Sequence, residues 1–416
     1  MNTKKLLFIL LLASALSTID AQVYRTKTFT DRIQTLRVNF ADKWDAAPVI
    51  RLNSGEQVEI KFDLINPSPE YCSYRILHCN ADWTPSQLLE SEYLDGLQNY
   101  PLEDYANSFN TKTEYVNYRL LIPNENVRLK VSGNYVAQVF SEGDDRPLLN
   151  VCFSVLEPQT AVSMQISPLT DKGSNSHYQA VSFEIAYNNE IRSPMQELKV
   201  FVQQNNRFDN EARLVKPLSL QNRKAIYDHH PALIFNAGNE YRRFEMTTTY
   251  YAGLNIDAVE FFAPFYHSTL YPDRKRSDRA YMYYEDQNGR VYIRNNDTDN
   301  PDTEADYQVV HFFMPCEKPY AEDVYILSDC FNNILDSRSR MEYSADEKAY
   351  TKSVLLKEGY YNYLYVTQAK AGEPAVTAPI EGDYYQTENE YRIWVYACPL
   401  GSRYDKLVGV QTLSSR

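Results

Sequence analysis

Three places in the chain carry residue types that could do chemistry. Glu90, Glu92 and Asp95 set three carboxylates close together, and a glycosidase needs only a pair about 5 to 9 Å apart. In a chain with 55 acidic residues, such a cluster is expected from composition alone. His229-His230 could contribute to a metal site, but Pro231 follows and no carboxylate or thiol stands at a ligand-like spacing. That pair reads as a solvated loop. Glu285 to Gly289 echoes a calcium loop. In an EF-hand register, however, Tyr284 would be the first ligand and Asn295 the last, which fails. None of the phosphate-cradling, zinc-protease or nucleophile-elbow patterns occurs. The six cysteines, at 72, 79, 152, 316, 330 and 398, form no C-x-x-C pair. Cys72 and Cys79 would stand about 20 Å apart on one strand, too far to bridge. Pairing of either with Cys152 and free buried thiols both remain open readings. The expectation is no enzyme: no catalytic residue, no cofactor, no metal.

The elements around these residues are strands. Tyr71, Ser73, Arg75 and Leu77 fall on one face of an extended segment, and Cys72, Tyr74, Ile76 and His78 on the other. Asn80 to Ser86 reads as a corner rich in turn residues, with Trp83 inside it. An excursion follows, Glu90 to Ser108, longer than a hairpin needs and without a clean strand period. Aromatic anchors are enriched at interface hot spots. Trp83, Tyr93, Leu94, Leu97 and Tyr100 are therefore the candidate partner-binding residues, against the reading that Trp83 simply packs under the sandwich end.

The same alternation recurs along the chain. Val58 to Leu64, Val116 to Ile122, Tyr135 to Val139 and Val151 to Val155 each read as half-buried strands, with Gly and Pro at the breaks. Val181 to Tyr187 and Leu198 to Val202 continue the pattern, and Asn288-Gly289 between Tyr283-Tyr284 and Val291-Tyr292-Ile293 signals a two-residue hairpin. Val310, Phe312 and Met314 alternate up to Pro315. Leu156 to Thr160 and the acidic Asp297 to Glu304 look like linkers. The predicted fold class is all-β: tandem antiparallel β-sandwiches over residues 22–157, 158–304 and 305–416.

Lys4-Lys5, an apolar Leu6 to Leu12 and small residues up to Ala21 read as a signal peptide, residues 1–21, too short to span a bilayer. No cysteine follows it closely, which disfavours a lipid anchor. The net charge of −13 repels phosphate, so nucleic acid and anionic lipid are not expected partners. The 35 tyrosines suit strands as well as interfaces and decide nothing alone.

Several islands carry a resemblance: "HCNADW", "EYLDG", "SFNT", "LIPNEN" and "SGNY" between His78 and Tyr135, then "NNRFDN" at 205–210 and "GNEYRRF" at 238–244. They look like the type IX secretion system plug proteins, the first group like their N-terminal immunoglobulin-like domain. The resemblance implies a non-enzymatic, monomeric periplasmic protein. It would dock on the periplasmic mouth of a giant outer-membrane translocon barrel and close it when idle. "VYILSDCFNN" (324–333) and "LLKEGYYNYLYV" (355–366) resemble early-set sandwich modules that bind glycogen-like α-glucans. There the expected tryptophan is Ile334, the later platform aromatic is Tyr350, and the sugar-contacting lysine position falls near Asn362. The alternative function is accordingly a secreted glycan-binding protein, with its sugar site altered.

Overall fold

A computed structural model describes residues 22–416; the expected leader, residues 1–21, lies outside the described residues. The chain is all-β, with short helical turns only at connections. Among the described residues, no helix is long and apolar enough to cross a membrane.

The N-terminal unit is a sandwich of two sheets. One runs through Pro147–Leu156, Gly133–Ser141 and Cys72–Cys79; the other orders Ile33–Phe40, Val58–Leu64, Val116–Ile122 and Tyr105–Asn107. Alternation dictates what faces inward: Val58, Ile60, Phe62 and Leu64 meet Tyr74, Ile76, Tyr135 and Val151 in one core. Phe62 stacks on Tyr118 at 5.1 Å and Tyr135 on Phe153 at 5.6 Å. In Cys72–Cys79 the residues Cys72, Tyr74, Ile76 and His78 are buried, the face the alternation selects, and Cys79 on the other face is buried as well, against Trp83.

The other two units are not consecutive along the chain. Thr160–Ser167, Tyr178–Tyr187 and Lys224–Tyr227 form one sheet of the middle unit. Its facing sheet pairs Leu198–Gln204 with Glu390–Ala397 and then Lys406–Ser414, the last strands of the chain. Tyr391, Ile393 and Val395 thereby share a core with Val181, Phe183 and Val200. Between the two halves sits an inserted unit. Its sheets are Ile256–Phe262, Phe265–Leu270, Tyr307–Pro315 and Ala349–Lys357 on one side, and Arg242–Met246, Gly359–Gln368, Val291–Ile293 and Asp323–Leu327 on the other. Phe244, Phe312, Tyr361 and Tyr365 are among the residues of its core. The expected division at 304/305 thus cuts through one core, because Phe244, Met246, Ile256 and Ile293 pack with Phe312 and Tyr361.

Two local expectations change with this topology. Val291–Ile293 pairs with Gly359–Gln368, not with Tyr283-Tyr284, which stand outside any strand. Asn288 and Gly289 do take the left-handed backbone (φ 52° and 87°) of a tight turn. The acidic segment 297–304 is no free linker: Pro301–Glu304 is a helical turn, and Asp302 pairs with Arg37 and Lys61 of the N-terminal unit, each at 2.8 Å.

The three units are joined at both ends of the N-terminal one. A parallel bridge between Leu156 and Leu407 continues its sheet into the middle unit, giving one nine-stranded sheet. On the opposite sandwich sheet, Asp63 meets Lys357 of the inserted unit at 2.7 Å, both side chains fully buried.

Candidate functional site

The corner and excursion expected to bear the partner site fold back onto the N-terminal sandwich. Trp83 adopts φ 69°, a conformation rare for a bulky residue. Its backbone is fixed there: the Trp83 amide donates to Asn80 O at 2.9 Å, and the Tyr24 amide donates to Trp83 O at 3.0 Å. The indole is buried with Tyr24, Cys79, Val136 and Cys152. All six cysteines are free thiols, and burial pushes the Cys152 thiol up to about 12. Tyr93 and Leu94 belong to the sandwich core. The Tyr93 hydroxyl donates to Ile76 O at 3.2 Å, and burial raises it to about 12. Tyr100 is half-buried, 6.4 Å from Tyr74. Only Leu97 projects, at 72% exposure. Of the five residues expected to meet a partner, Trp83, Tyr93 and Leu94 are therefore packing residues in this structure, since a buried side chain offers a partner no surface.

Single exposed aromatics, Phe29, Tyr71 and Phe109 among them, remain on the N-terminal unit, and a cluster collects on the inserted unit. The hairpin Ile256–Phe262/Phe265–Leu270 lies at the edge of its sheet, with Ile256–Phe262 outermost. At the tip, Phe262 is 58% exposed beside an exposed Phe261; Tyr250, Tyr251 and Tyr271 flank the strands, Tyr250 at 82% exposure. Phe261 packs on Tyr266 at 5.0 Å and Phe262 on His267 at 5.4 Å. Those contacts support the rings from one side and leave the other to solvent. Behind them, His267 Nδ1 and His311 Nε2 stand 2.8 Å apart. Burial, then the neighbouring His267, lowers the His311 pKa. A signal for this patch lay in the chain: Phe261-Phe262-Ala263-Pro264-Phe265 breaks the inward/outward alternation at a turn, where one-sided burial is impossible.

The chemistry beneath is structural. Lys357 Nζ bonds Asp63 Oδ2 and, at 2.7 Å, Asp302 O; it lies 4.1 Å from the Tyr115 ring centroid. Tyr307 and Asn117 donate to the two Asp63 oxygens at 2.6 and 2.7 Å. Burial lowers the Lys357 pKa, and Asp63 opposes that. Asp306 accepts from the amides of Lys112 and Thr113 at 2.6 and 3.0 Å. No group of three or more His, Cys, Asp or Glu able to hold a metal ion occurs among the described residues. His229 sits exposed, and His230 caps a short helical turn by accepting from the Ala232 amide at 3.1 Å. Tyr350 and Asn362, at the positions aligned with the α-glucan site, are buried, so neither presents a face to a sugar.

The described residues thus form an all-β chain of three joined sandwiches, with one group of exposed aromatics on an edge hairpin of the inserted unit. Residues 33–157 match the family model described as "Type 9 secretion system plug protein 1st domain". The chain belongs to the type IX secretion system plug family. It is similar to the crystal structure of a hypothetical protein from Parabacteroides merdae ATCC 43184, with 43% identity, 94% of this chain and 100% of that chain covered, and a TM-score of 0.93. The C-terminal domain of the Streptococcus pyogenes antigen I/II-family protein AspA aligns at 8% identity over 91% of this chain and 98% of that one, with a TM-score of 0.18, and carries no argument. No curated protein matches the chain.

Proposed function

We propose that this protein is a periplasmic, non-catalytic plug of the type IX translocon, docking on the periplasmic mouth of the giant outer-membrane barrel and closing it when idle. Family membership supports the secretion role. The observation that carries the closing role is the way the three sandwiches are joined. A pore wide enough for folded cargo leaks unless its mouth is covered by a body that does not hinge apart. Here a continuous nine-stranded sheet ties the first unit to the second, and the buried Asp63–Lys357 pair ties it to the third. Removing one partner of such a pair leaves an uncompensated buried charge, so the units resist separation.

Docking is assigned to the Phe261–Phe262 hairpin tip with Tyr250 and Tyr271. These are the aromatic types that dominate interface energetics, held on an edge hairpin rather than a mobile tail. The test is conductance of the purified barrel in a planar bilayer. Adding this protein to the periplasmic side should lower conductance, and a Phe261→Ser/Phe262→Ser variant with unaltered thermal stability should lower it much less. Undiminished conductance with the unmodified protein would refute the closing role.

A further inference from the structure

Where the three units meet, the structure encloses a cavity of about 160 Å³. All three tryptophans of the chain, Trp44, Trp83 and Trp394, line it. Trp44 and Tyr292, ring centroids 4.8 Å apart and both partly exposed, stand at its mouth. The rest of the wall is polar. Arg290 and Arg392 each donate to Glu390, at 2.8 and 2.7 Å, so their charges are already met. Asp329 has a different environment: among the described residues its carboxylate accepts one hydrogen bond, from Asn333 Nδ2 at 2.5 Å. Asn333 is only 7% exposed, and its Oδ1 has no partner. Arg37 Nε, also on the wall, is buried without one. Buried polar atoms are almost always paired, and these border the same space. Asn206, Asn332 and Asn333 hold their backbones at φ 58°, 53° and 53°, as Trp83 does at 69°, so the wall is built from strained turns of all three units.

We propose that this cavity binds a single neutral pyranose ring, a hexose or N-acetylhexosamine unit. Trp44, 38% exposed, and Tyr292 offer flat faces at the mouth, which match the apolar face of a sugar ring, while Trp83 and Trp394 border the space from within their packed clusters. The unpaired groups are two acceptors and one donor, a mixture that hydroxyls, which donate and accept at once, satisfy together. A cation would face Arg290 and Arg392. An anion would face Asp329, Asp45 and Glu211, all on the wall. The volume is close to that of a cavity that holds one benzene ring, roughly 150 Å³, so a single six-membered ring fits only with its substituents reaching out through the open mouth at Trp44 and Tyr292, and a chain of sugars does not fit inside. This site is separate from Ile334, Tyr350 and Asn362, and it does not depend on docking to a barrel.

Because every tryptophan borders the cavity, intrinsic fluorescence reads its occupancy directly. The protein, residues 22–416, is titrated with glucose, galactose, mannose and N-acetylglucosamine, and with toluene as an apolar six-membered ring. A saturable emission change with at least one sugar is expected, accompanied by a rise in melting temperature. Asn333→Ala removes an acceptor that bonds nothing in the empty protein and should weaken that binding roughly tenfold, about 1.4 kcal/mol. Trp44→Phe, at the partly exposed mouth, gives a second variant that keeps the fold and should also weaken it. A saturable response to toluene alone, no response to any sugar by a protein of normal melting temperature, or full affinity in both variants would each overturn the proposal.

Discussion

Asp63 and Lys357 come from strands of different units nearly three hundred residues apart, yet both are wholly inaccessible. Such a pair is weak evidence of added stability, because desolvation offsets much of the attraction, but breaking it by half is costly. Lys357→Met should cost about 3–5 kcal/mol, read by denaturant melts, while Asp63→Leu with Lys357→Met should recover most of the loss. Next to it, burial raises Glu358 to about 7 from 4.5, although it accepts from the Asp306 amide at 2.9 Å and Asn295 Nδ2 at 2.6 Å. Its folded pKa lies above the unfolded one, so its contribution is fully present below about pH 4.5 and is lost as pH rises through about 7. Glu358→Gln should flatten the decline in melting temperature across that window. Glu381 has the opposite sign: burial pushes it up, but Arg242 and Arg276 outweigh that and hold it at about 2. Its stabilisation is present above pH 4.5 and lost in strong acid. Little of this was legible in the sequence. In VEIKFDL, alternation marks Asp63 as outward-facing with Glu59 and Lys61. It does face outward from its own sandwich, and the surface it meets belongs to another unit.

The strands themselves were legible wherever one face meets a core. Val58–Leu64, Cys72–Cys79 and Tyr307–Pro315 show the expected alternation in burial, since a period of two is imposed by the pleat. The excursion was not, because a segment without a period gives no face. It supplies short edge strands to both sheets, Tyr100–Pro101 beside Cys72–Cys79 and Tyr105–Asn107 beside Val116–Ile122, and its anchors sort into core and surface by contacts that lie far off in sequence. Tyr93→Ala should therefore cost about 3 kcal/mol, the range for emptying a buried aromatic site, whereas Leu97→Ala should stay within about 0.5 kcal/mol. Equal, small effects in thermal melts would show that Tyr93 is not packed as described. The return of Glu390–Ala397 and Lys406–Ser414 to the middle unit was likewise hidden, because strand patterns do not say which sheet a strand joins. Deleting residues 389–416 removes Tyr391, Ile393 and Val395 from the middle core. The truncated chain should lose the cooperative melt of that unit and expose it to protease, instead of leaving two intact sandwiches.

At the scale of the whole molecule, the insertion changes what the chain can do as a body. Three sandwiches strung on linkers would swing; here the middle unit is closed only after the inserted one has been threaded, and both lean on the first. The acidic stretch 297–304, which has the composition of a linker, instead supplies Asp302 to Arg37 and Lys61. Charge alone could not distinguish these roles, because a tether and an anchor have the same residues and differ only in what lies opposite. The result is a block of three tied units with an exposed aromatic cluster on one edge hairpin, which suits the proposed role of covering an opening. The most direct measurement is co-purification from detergent-solubilised outer membranes of cells making the tagged protein. The account predicts recovery of a very large barrel protein with the unmodified chain, and much less with Phe261→Ser/Phe262→Ser at equal abundance and melting temperature. Recovery of the unmodified chain free of any such barrel would contradict it.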